Sequence, residues 1–283
     1  MDTQTLKYIG KDLYKTHILK EWKRYIVFMT RCHLHKGQIN DLLDFFKATP
    51  QRQAMLEHTT SFVEQTTRAF FYKDSTWDER IAIVKNHIEY MENIFNDEAI
   101  AKLYVNGERI RLWEDVYEEQ PVVMELWFHG GQRKEGCLSL VLSLGADELY
   151  QIMFWLAPSP EDNELSLWIG ALQGTPNGSE IIKGLTKAFF GYRTKNLIFY
   201  GIRNVAAGLG CKHLYAVSNA GYYAMNHVRR DRKLKTSLDD FWQECEGKVC
   251  KDQRFFEMPI EEYRKSMEEL KPSKRAQHRK RFA

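Results

Sequence analysis

Residues 136–144 read GCLSLVLSL, and leucine occupies every second position from Leu138 to Leu144. Successive side chains of a β-strand point to opposite faces, so the leucines of this stretch would share one face and the other residues would occupy the second face. A period of two is typical of a strand with one face against a core. The stretch therefore predicts a strand whose leucine face is buried.

Further strands and helices are predicted on either side of this strand. Short connections such as Gly145-Ala146-Asp147 favour an antiparallel meander, because tight turns join antiparallel neighbours. Gly210 is placed to end a helix as its C-terminal cap. We predict strands at Val122–His129, Glu148–Leu156, Glu164–Leu172, Lys212–Val217 and Phe255–Met258, and helices at Ser179–Phe190, Thr194–Leu209, Ala220–Arg230, from Ser237 onward and at Ile260–Leu270.

The N-terminal half shows helical periodicity instead. Thr76-Trp77-Asp78-Glu79 predicts a capping box, and apolar residues then recur at spacings of four and three up to Phe95. Other helices are predicted at Leu13–Thr30, Ile39–Lys47 and Gln51–Phe71, with Pro50 separating the last two. The predicted fold class is α+β: a helical region at residues 1–118, a region with a mainly antiparallel sheet at 119–270, and a basic tail at 271–283. The two halves can share one core.

Composition excludes several classes of protein. Of 283 residues, 43% are hydrophobic and 28% are charged, which is typical of a folded globular chain and not of a disordered one. No run approaches the roughly 18 apolar residues that a membrane span needs, and the start Met1-Asp2-Thr3-Gln4 does not resemble a secretory signal. The five cysteines form no C-x-x-C pair. We therefore expect a cytoplasmic protein with free thiols that does not cross a membrane.

Charge is concentrated at the C-terminus. The net charge is +3, yet residues 271–283 hold six bases and no acid, so the rest of the chain is mildly acidic. The 271–281 segment could bind phosphate-rich partners such as RNA, DNA or an anionic membrane face. Aromatic residues, which would stack on bases, are scarce there. A solvated helical end, or a clamp on the protein's own acidic body, is an equally good interpretation.

Five short motifs occur in an order that resembles the bacterial VirK/YbjX family. They are His129-Gly130 followed by Glu135-Gly136, Gly170-Ala171-Leu172-Gln173-Gly174, Arg193-Thr194-Lys195-Asn196-Leu197, Ala216-Val217-Ser218-Asn219, and Pro272-Ser273-Lys274-Arg275-Ala276-Gln277. A looser match lies around His87-Ile88-Glu89-Tyr90. The resemblance implies a bacterial protein linked to virulence, to the placement of proteins at the cell surface or to resistance against antimicrobial peptides. It supplies no catalytic residues.

The order of elements after residue 136 also resembles the core of GNAT acyltransferases. In those enzymes the loop after the third strand binds the acyl-CoA pyrophosphate through backbone N–H groups at a helix N-terminus, where the helix dipole favours an anion. This resemblance implies that acyl-CoA or another acyl carrier binds at Gln173, Gly174, Asn177 and Gly178, and that the strands before Gln173 and at Lys212 splay into a V-shaped cleft. The GNAT loop usually reads Q/R-x-x-G-x-G/A, whereas glycines stand here at 174 and 178. A plain strand-to-helix turn is the alternative.

If the GNAT resemblance holds, Tyr222 or Tyr223 would protonate the departing thiolate and Asn219 or Ser218 would orient the substrate. The tyrosines could equally be core aromatics. His129 at a strand end is a candidate base or a structural residue. His33 and His35 beside Cys32 lack a second cluster of ligands, so no metal site is predicted.

Two functional hypotheses remain open. The first is an acyltransferase that modifies an amine of an envelope-related peptide or lipid precursor. The second is a non-enzymatic virulence or envelope factor that binds a protein partner.

Overall fold

The computed structural model describes residues 3–129, 133–175, 178–226 and 236–282. The N-terminal part is helical, as predicted. Thr76 accepts a hydrogen bond from the Glu79 N–H while Glu79 bonds back to the Thr76 N–H, so the predicted capping box is confirmed. The helices are α1 (Thr3–Leu13), α2 (Leu19–Leu34), α3 (Lys36–Lys47), α4 (Pro50–His58), α5 (Ser61–Thr67), α6 (Trp77–Ile94) and α7 (Asp97–Tyr104).

The helix predicted at Gln51–Phe71 is two helices. Thr59 leaves the helical conformation, with φ −132° and ψ 61°, and its hydroxyl donates to the Tyr104 carbonyl at 2.6 Å. Hydrogen bonds of this kind compete with continued helix. The break separates α4 from α5 and turns α5 toward the sheet.

The described strands form one sheet of eight strands in the order β1-β2-β3-β4-β5-β6-β8-β7. They are β1 (Ile110–Tyr117), β2 (Gln120–Trp127), β3 (Leu138–Leu144), β4 (Asp147–Pro158), β5 (Leu165–Gly174), β6 (His213–Val217), β7 (Lys248–Val249) and β8 (Phe255–Met258). Among these strands β5 and β6 are the parallel neighbours, and every other pair is antiparallel. The predicted α+β class and the predicted meander are confirmed. Strand β1, inside the region predicted to be helical, was missed.

The pairing of the two parallel strands ends before β5 does, because β6 is short. The register runs from Ser166 opposite His213 to Ile169 opposite Ala216, and β6 ends at Val217, whereas β5 continues to Gly174. The register between β4 and β5 shifts at the same level, where Met153 opposes Ala171 and Phe154 opposes Ile169. This leaves residue 170 as a bulge in β5.

The remaining helices are α8 (Ser179–Ala188), α9 (Thr194–Gly208), α10 (Leu238–Glu244) and α11 (Pro272–Phe282), with a 3-10 turn at Tyr223–Asn226. Ser237 caps α10 as predicted. The prediction of a helix at Ile260–Leu270 is wrong. Side-chain bonds hold that segment in another conformation, such as Tyr192 to Glu262 and Tyr263 to Glu269. In the predicted helix Ala220–Arg230, residues 220–226 hold a turn and the 3-10 turn, and the rest lies outside the described residues.

One cluster of buried apolar side chains extends from Leu6 in α1 to Met258 in β8. Helix α6 packs on β4, and the buried His87 of α6 accepts a hydrogen bond from the Leu156 N–H at 3.1 Å. Within the described residues, no helix combines the length and apolar character needed to span a membrane.

Candidate active site

Residues 133–137, which lead into β3, cross β4 and β5 beside the bulge. A Cβ atom on Gly136 would lie 2.5 Å from the backbone nitrogen of Phe154, and a Cβ atom on Gly170 would overlap the carbonyl oxygen of Glu135. Because the neighbours are backbone atoms that cannot turn aside, only glycine fits at these two positions. The crossing fixes Glu135 beside the point where β5 and β6 stop pairing.

The Glu135 carboxyl is buried between two residues that the sequence had singled out. Its Oε1 atom accepts hydrogen bonds from the Tyr222 hydroxyl at 2.9 Å and from Gln173 Nε2 at 3.0 Å. Only 4% of the residue is exposed. Burial raises the pKa of Glu135 to about 7, although both hydrogen bonds and the nearby Lys134 charge oppose the shift. A carboxyl with this pKa can both accept and release a proton near neutral pH.

Helix α5 and the segment after it hold this crossing in place. Gln65 Nε2 donates to the carbonyl oxygens of Arg133 at 2.9 Å and Gly136 at 2.7 Å. The Phe71 N–H donates to the Lys134 carbonyl at 2.7 Å. The carbonyls on both sides of Glu135 are therefore anchored, which limits the positions that its side chain can take.

Tyr222 is held from the other side. It forms an isolated antiparallel bridge with Tyr72, and the Lys73 N–H donates to the Gly221 carbonyl at 2.7 Å. Burial, followed by the Glu135 charge, raises the pKa of Tyr222 far above its usual value, so the phenol keeps its proton. The ring of Tyr223 lies against that of Tyr222, with 5.0 Å between centroids.

The other predicted catalytic residues do not join this cluster. The Asn219 side chain holds the start of α10, since it donates to Ser237 Oγ at 3.0 Å and accepts from the Leu238 N–H at 2.8 Å. Ser218 Oγ donates to the Gln253 carbonyl at 2.8 Å. His129 is exposed and packs against Trp127, with ring centroids 4.6 Å apart. Their assigned roles stay predictions.

The predicted cofactor loop is described in part. Gly174 packs against the ring of Tyr150, and the Thr175 N–H donates to the Leu149 carbonyl at 3.0 Å. Gly178 is the N-cap of α8 and has no side chain with which to cap it. Asn177 lies outside the described residues. In the rest of the chain, as far as it is described, no group of three or more His, Cys, Asp or Glu residues is placed to hold a metal ion.

An aromatic cleft of about 830 Å³ adjoins the site. Trp155 lines this cleft and also lies 2.9 Å from the position that a Cβ of Gly170 would take. Trp168 stacks on Tyr215 with centroids 4.2 Å apart. The lining also includes Tyr72, Glu79, Glu161, Asp252, Arg254 and Phe255. The cleft therefore offers a mixed apolar and charged surface, and Trp155 connects it to the bulge on which the Glu135 segment lies.

Glu135 is the residue that the sequence did not single out as functional. It stood in the Glu135-Gly136 motif, but its partners lie 87 and 38 residues away along the chain. The glycine after it and the glycine at 170 were the available signals, because glycine inside a strand pattern often marks a close backbone approach.

The fold and the site together define an α+β protein in which a carboxyl–tyrosine pair is buried near the point where the pairing of two parallel strands ends. Residues 17–283 match a family described as a protein of unknown function (DUF535), so the chain belongs to that family.

Two bacterial relatives support this assignment. An uncharacterized protein of Haemophilus influenzae is 23% identical over 256 residues, which cover 88% of this chain and 82% of that protein. The uncharacterized protein YbjX of Escherichia coli K12 is 30% identical over 123 residues, or 41% of this chain and 36% of YbjX. The predicted kinship to the VirK/YbjX family is confirmed. No solved structure matches the chain.

Proposed function

We propose that the protein is an acyltransferase that moves an acyl group from a thioester, acyl-CoA or another acyl carrier, to an amine. The observation that carries the proposal is the Glu135–Tyr222 hydrogen bond of 2.9 Å, formed by a buried carboxyl whose pKa is about 7. An amine acceptor must lose a proton and a thiolate must gain one. A paired base and acid suit both requirements.

The place of the site in the sheet supports the same proposal. The GNAT resemblance led us to expect that the strands before Gln173 and at Lys212 would splay apart, and their pairing ends at Ile169 and Ala216, one residue before β6 itself ends. Gln173, at the end of β5, reaches Glu135 from the strand that leads into the predicted cofactor loop. The acyl donor would thus approach from the loop and the amine from the aromatic cleft.

The proton balance is simple. The amine nitrogen attacks the thioester carbonyl carbon and gives a proton to Glu135, and the C–S bond then breaks. Tyr222 gives its proton to the departing sulfur and recovers one from Glu135 along their hydrogen bond. The products are an amide and a free thiol, and no covalent enzyme intermediate is needed. Peptide, lipid and amino-sugar amines are the acceptors to test first, since envelope precursors carry such groups.

The direct test has two stages. Acetyl-CoA, dodecanoyl-CoA and dodecanoyl acyl carrier protein are first screened by calorimetry, and thiol release from the thioesters that bind is then followed with a panel of amines. We expect Glu135→Gln to keep donor binding and to lower turnover by about 10² to 10⁴-fold. We expect Tyr222→Phe to lower turnover as well. The matched control is Glu268→Gln, an exposed carboxyl elsewhere in the chain, which should leave turnover unchanged.

The outcomes separate the two functional hypotheses. If no thioester gave a heat of binding, the protein would have no acyl donor, and the transferase hypothesis would be wrong. A chain that binds a protein from the envelope equally well with and without Glu135→Gln and Tyr222→Phe would instead be the non-enzymatic factor.

A further inference from the structure

An apolar slot of about 580 Å³ lies between helix α9 and strands β1 to β3. It shares no lining residue with the aromatic cleft. Gly201 of α9 touches the sheet, since a Cβ there would lie 2.5 Å from Met124 Sδ. Two helical turns later, a Cβ on Gly208 would meet nothing within 4 Å. The slot is the space between the sheet and this end of α9, and Leu112, Leu126, Leu140 and Val205 also line it.

A second cavity of about 400 Å³ lies beside the slot and has three basic and two acidic residues in its lining. Trp113, Leu197 and Tyr200 line both cavities, so the two are adjacent. Arg264, Lys280 and Arg281 line the second cavity, as do Asp115 and Glu262. Lys280 and Arg281 belong to α11, which carries five bases and no acid.

The cations are held near aromatic rings at this junction. Arg264 donates to the Tyr200 hydroxyl at 3.3 Å, and Arg281 donates to the Phe190 carbonyl at 3.0 Å. The guanidinium of Arg281 lies 5.4 Å from the ring centroid of Tyr192. Positive side chains anchored beside an apolar space match a ligand with an anionic head and a hydrocarbon tail.

We propose that this pair of cavities binds an amphiphile made of one acyl chain and a phosphate-bearing head group. The chain would fill the slot along α9, and the phosphate would lie against Arg264 and the end of α11. The size of the slot is within the range of about 300 to 1,000 Å³ that ligand pockets span. The site is independent of the proposed transferase chemistry, because none of its residues belongs to the Glu135 cluster.

The test uses dodecyl phosphate below its micellar concentration, with calorimetry on the full chain. We expect saturable binding that weakens roughly fourfold for each methylene removed in the decyl and octyl homologues, because each buried methylene adds a fixed hydrophobic contribution. Dodecyltrimethylammonium, which has the same tail and the opposite charge, should bind at least tenfold more weakly. Equal binding of the two amphiphiles would overturn the assignment of the head-group pocket.

The slot itself is tested by Gly208→Leu, which adds a large apolar side chain at a position that lines the slot, and by the smaller step Gly208→Ala. We expect a loss of more than tenfold with leucine and an intermediate loss with alanine. Gly37→Leu is the matched control, because Gly37 is also a helical glycine with nothing within 4 Å of its Cβ position. Both substitutions replace a helical glycine and should keep the fold. Unchanged binding by Gly208→Leu would overturn the proposal.

The charge is tested by Arg264→Gln with Lys280→Gln, against Lys212→Gln with Lys248→Gln, which removes the same charge at exposed positions elsewhere. Only the first pair should abolish the preference for phosphate. Competition between dodecyl phosphate and either dodecanoyl lysophosphatidate or dodecanoyl-CoA then shows which class of natural ligand, a phospholipid or an acyl-CoA, carries the acyl chain and phosphate that the site binds. If both double variants lost the preference for dodecyl phosphate over dodecyltrimethylammonium, the preference would come from the general positive charge of the chain. That result would contradict a specific head-group site.

Discussion

At the scale of single residues, Glu135 opposes folding when it is ionised, because the cost of burying its carboxyl outweighs its two hydrogen bonds and the attraction of the Lys134 charge. Burial raises its pKa from 4.5 to about 7, so between these values the folded chain holds a proton that the unfolded chain has lost. Stability from this group is therefore fully present below pH 4.5 and falls as the pH rises to 7. The total loss is about 3 kcal/mol.

Glu135→Gln removes this dependence while keeping an oxygen that accepts from Tyr222 and Gln173. We expect the free energy of unfolding of the parent protein, minus that of the variant, to fall by about 3 kcal/mol between pH 4 and pH 8. Urea unfolding at both pH values measures it. Glu268→Gln, at an exposed position, should show no such change. A pH-independent difference for Glu135→Gln would mean that the carboxyl is not buried as described.

The residues of the site could be predicted only where the resemblance to GNAT acyltransferases covered them. That resemblance implied roles for Gln173 and for Tyr222 or Tyr223, and the structure brings Gln173 and Tyr222 to one carboxylate oxygen. Glu135 could not be chosen in this way. Its burial depends on a backbone crossing over Gly170 that involves three separate parts of the chain.

At the scale of secondary-structure elements, His87 couples α6 to β4. Its Nδ1 atom accepts from the Leu156 N–H at 3.1 Å, so the proton of the neutral ring lies on Nε2, which is 2.7 Å from the Tyr104 hydroxyl. Burial lowers the pKa of His87 from 6.5 to about 3. The unfolded chain therefore takes up a proton first as the pH falls, and stability declines by about 1.4 kcal/mol per pH unit below 6.5.

His87→Asn places an amide oxygen near the position of Nδ1 and cannot be protonated. We expect the variant to be less stable at pH 7 by about 1–3 kcal/mol, because the contact with Tyr104 is lost. We also expect its disadvantage to shrink by about 2 kcal/mol between pH 6.5 and 4.5. The Glu135 contribution is the same in both proteins and cancels in the comparison. Parallel stability curves for the two proteins would show that His87 is protonated in the fold.

Elements with a clear period were predictable, and those held by tertiary contacts were not. The leucine strand and the capping box of α6 carry their own signals. Strand β1 is an edge strand with mostly exposed side chains, so it shows no alternation, and its pairing with β2 defines it. The acidic segment 260–270 is rich in residues that favour helices, yet its side chains form the hydrogen bonds with Tyr192 and between Tyr263 and Glu269 described above. Such contacts override the helix propensity, which is only a few tenths of a kcal/mol per residue.

At the scale of the whole molecule, the helical region and the sheet share one core. The buried cluster joins Leu6 of α1 to Met258 of β8, and Glu64 of α5 forms an ion pair with Arg133 in the crossing that holds Glu135. A division at residue 118 would expose the face of β4 that α6 covers. The site therefore depends on both halves, although Glu135 and Tyr222 themselves lie in the second.

This sharing predicts that the chain unfolds as one unit. We expect a single urea transition with the same midpoint by far-UV circular dichroism, which reports mainly the helices, and by tryptophan fluorescence, which reports largely the sheet. Trp113, Trp127, Trp155 and Trp168 lie in strands, and Trp242 of α10 donates to the Val217 carbonyl of β6. The fragment 105–283 should lack a cooperative transition, because it would leave the apolar face under α6 in water. Two separated midpoints, or a fragment that unfolds cooperatively with the stability of the full chain, would instead identify two independent domains. In that case Glu135 would be held without help from α5.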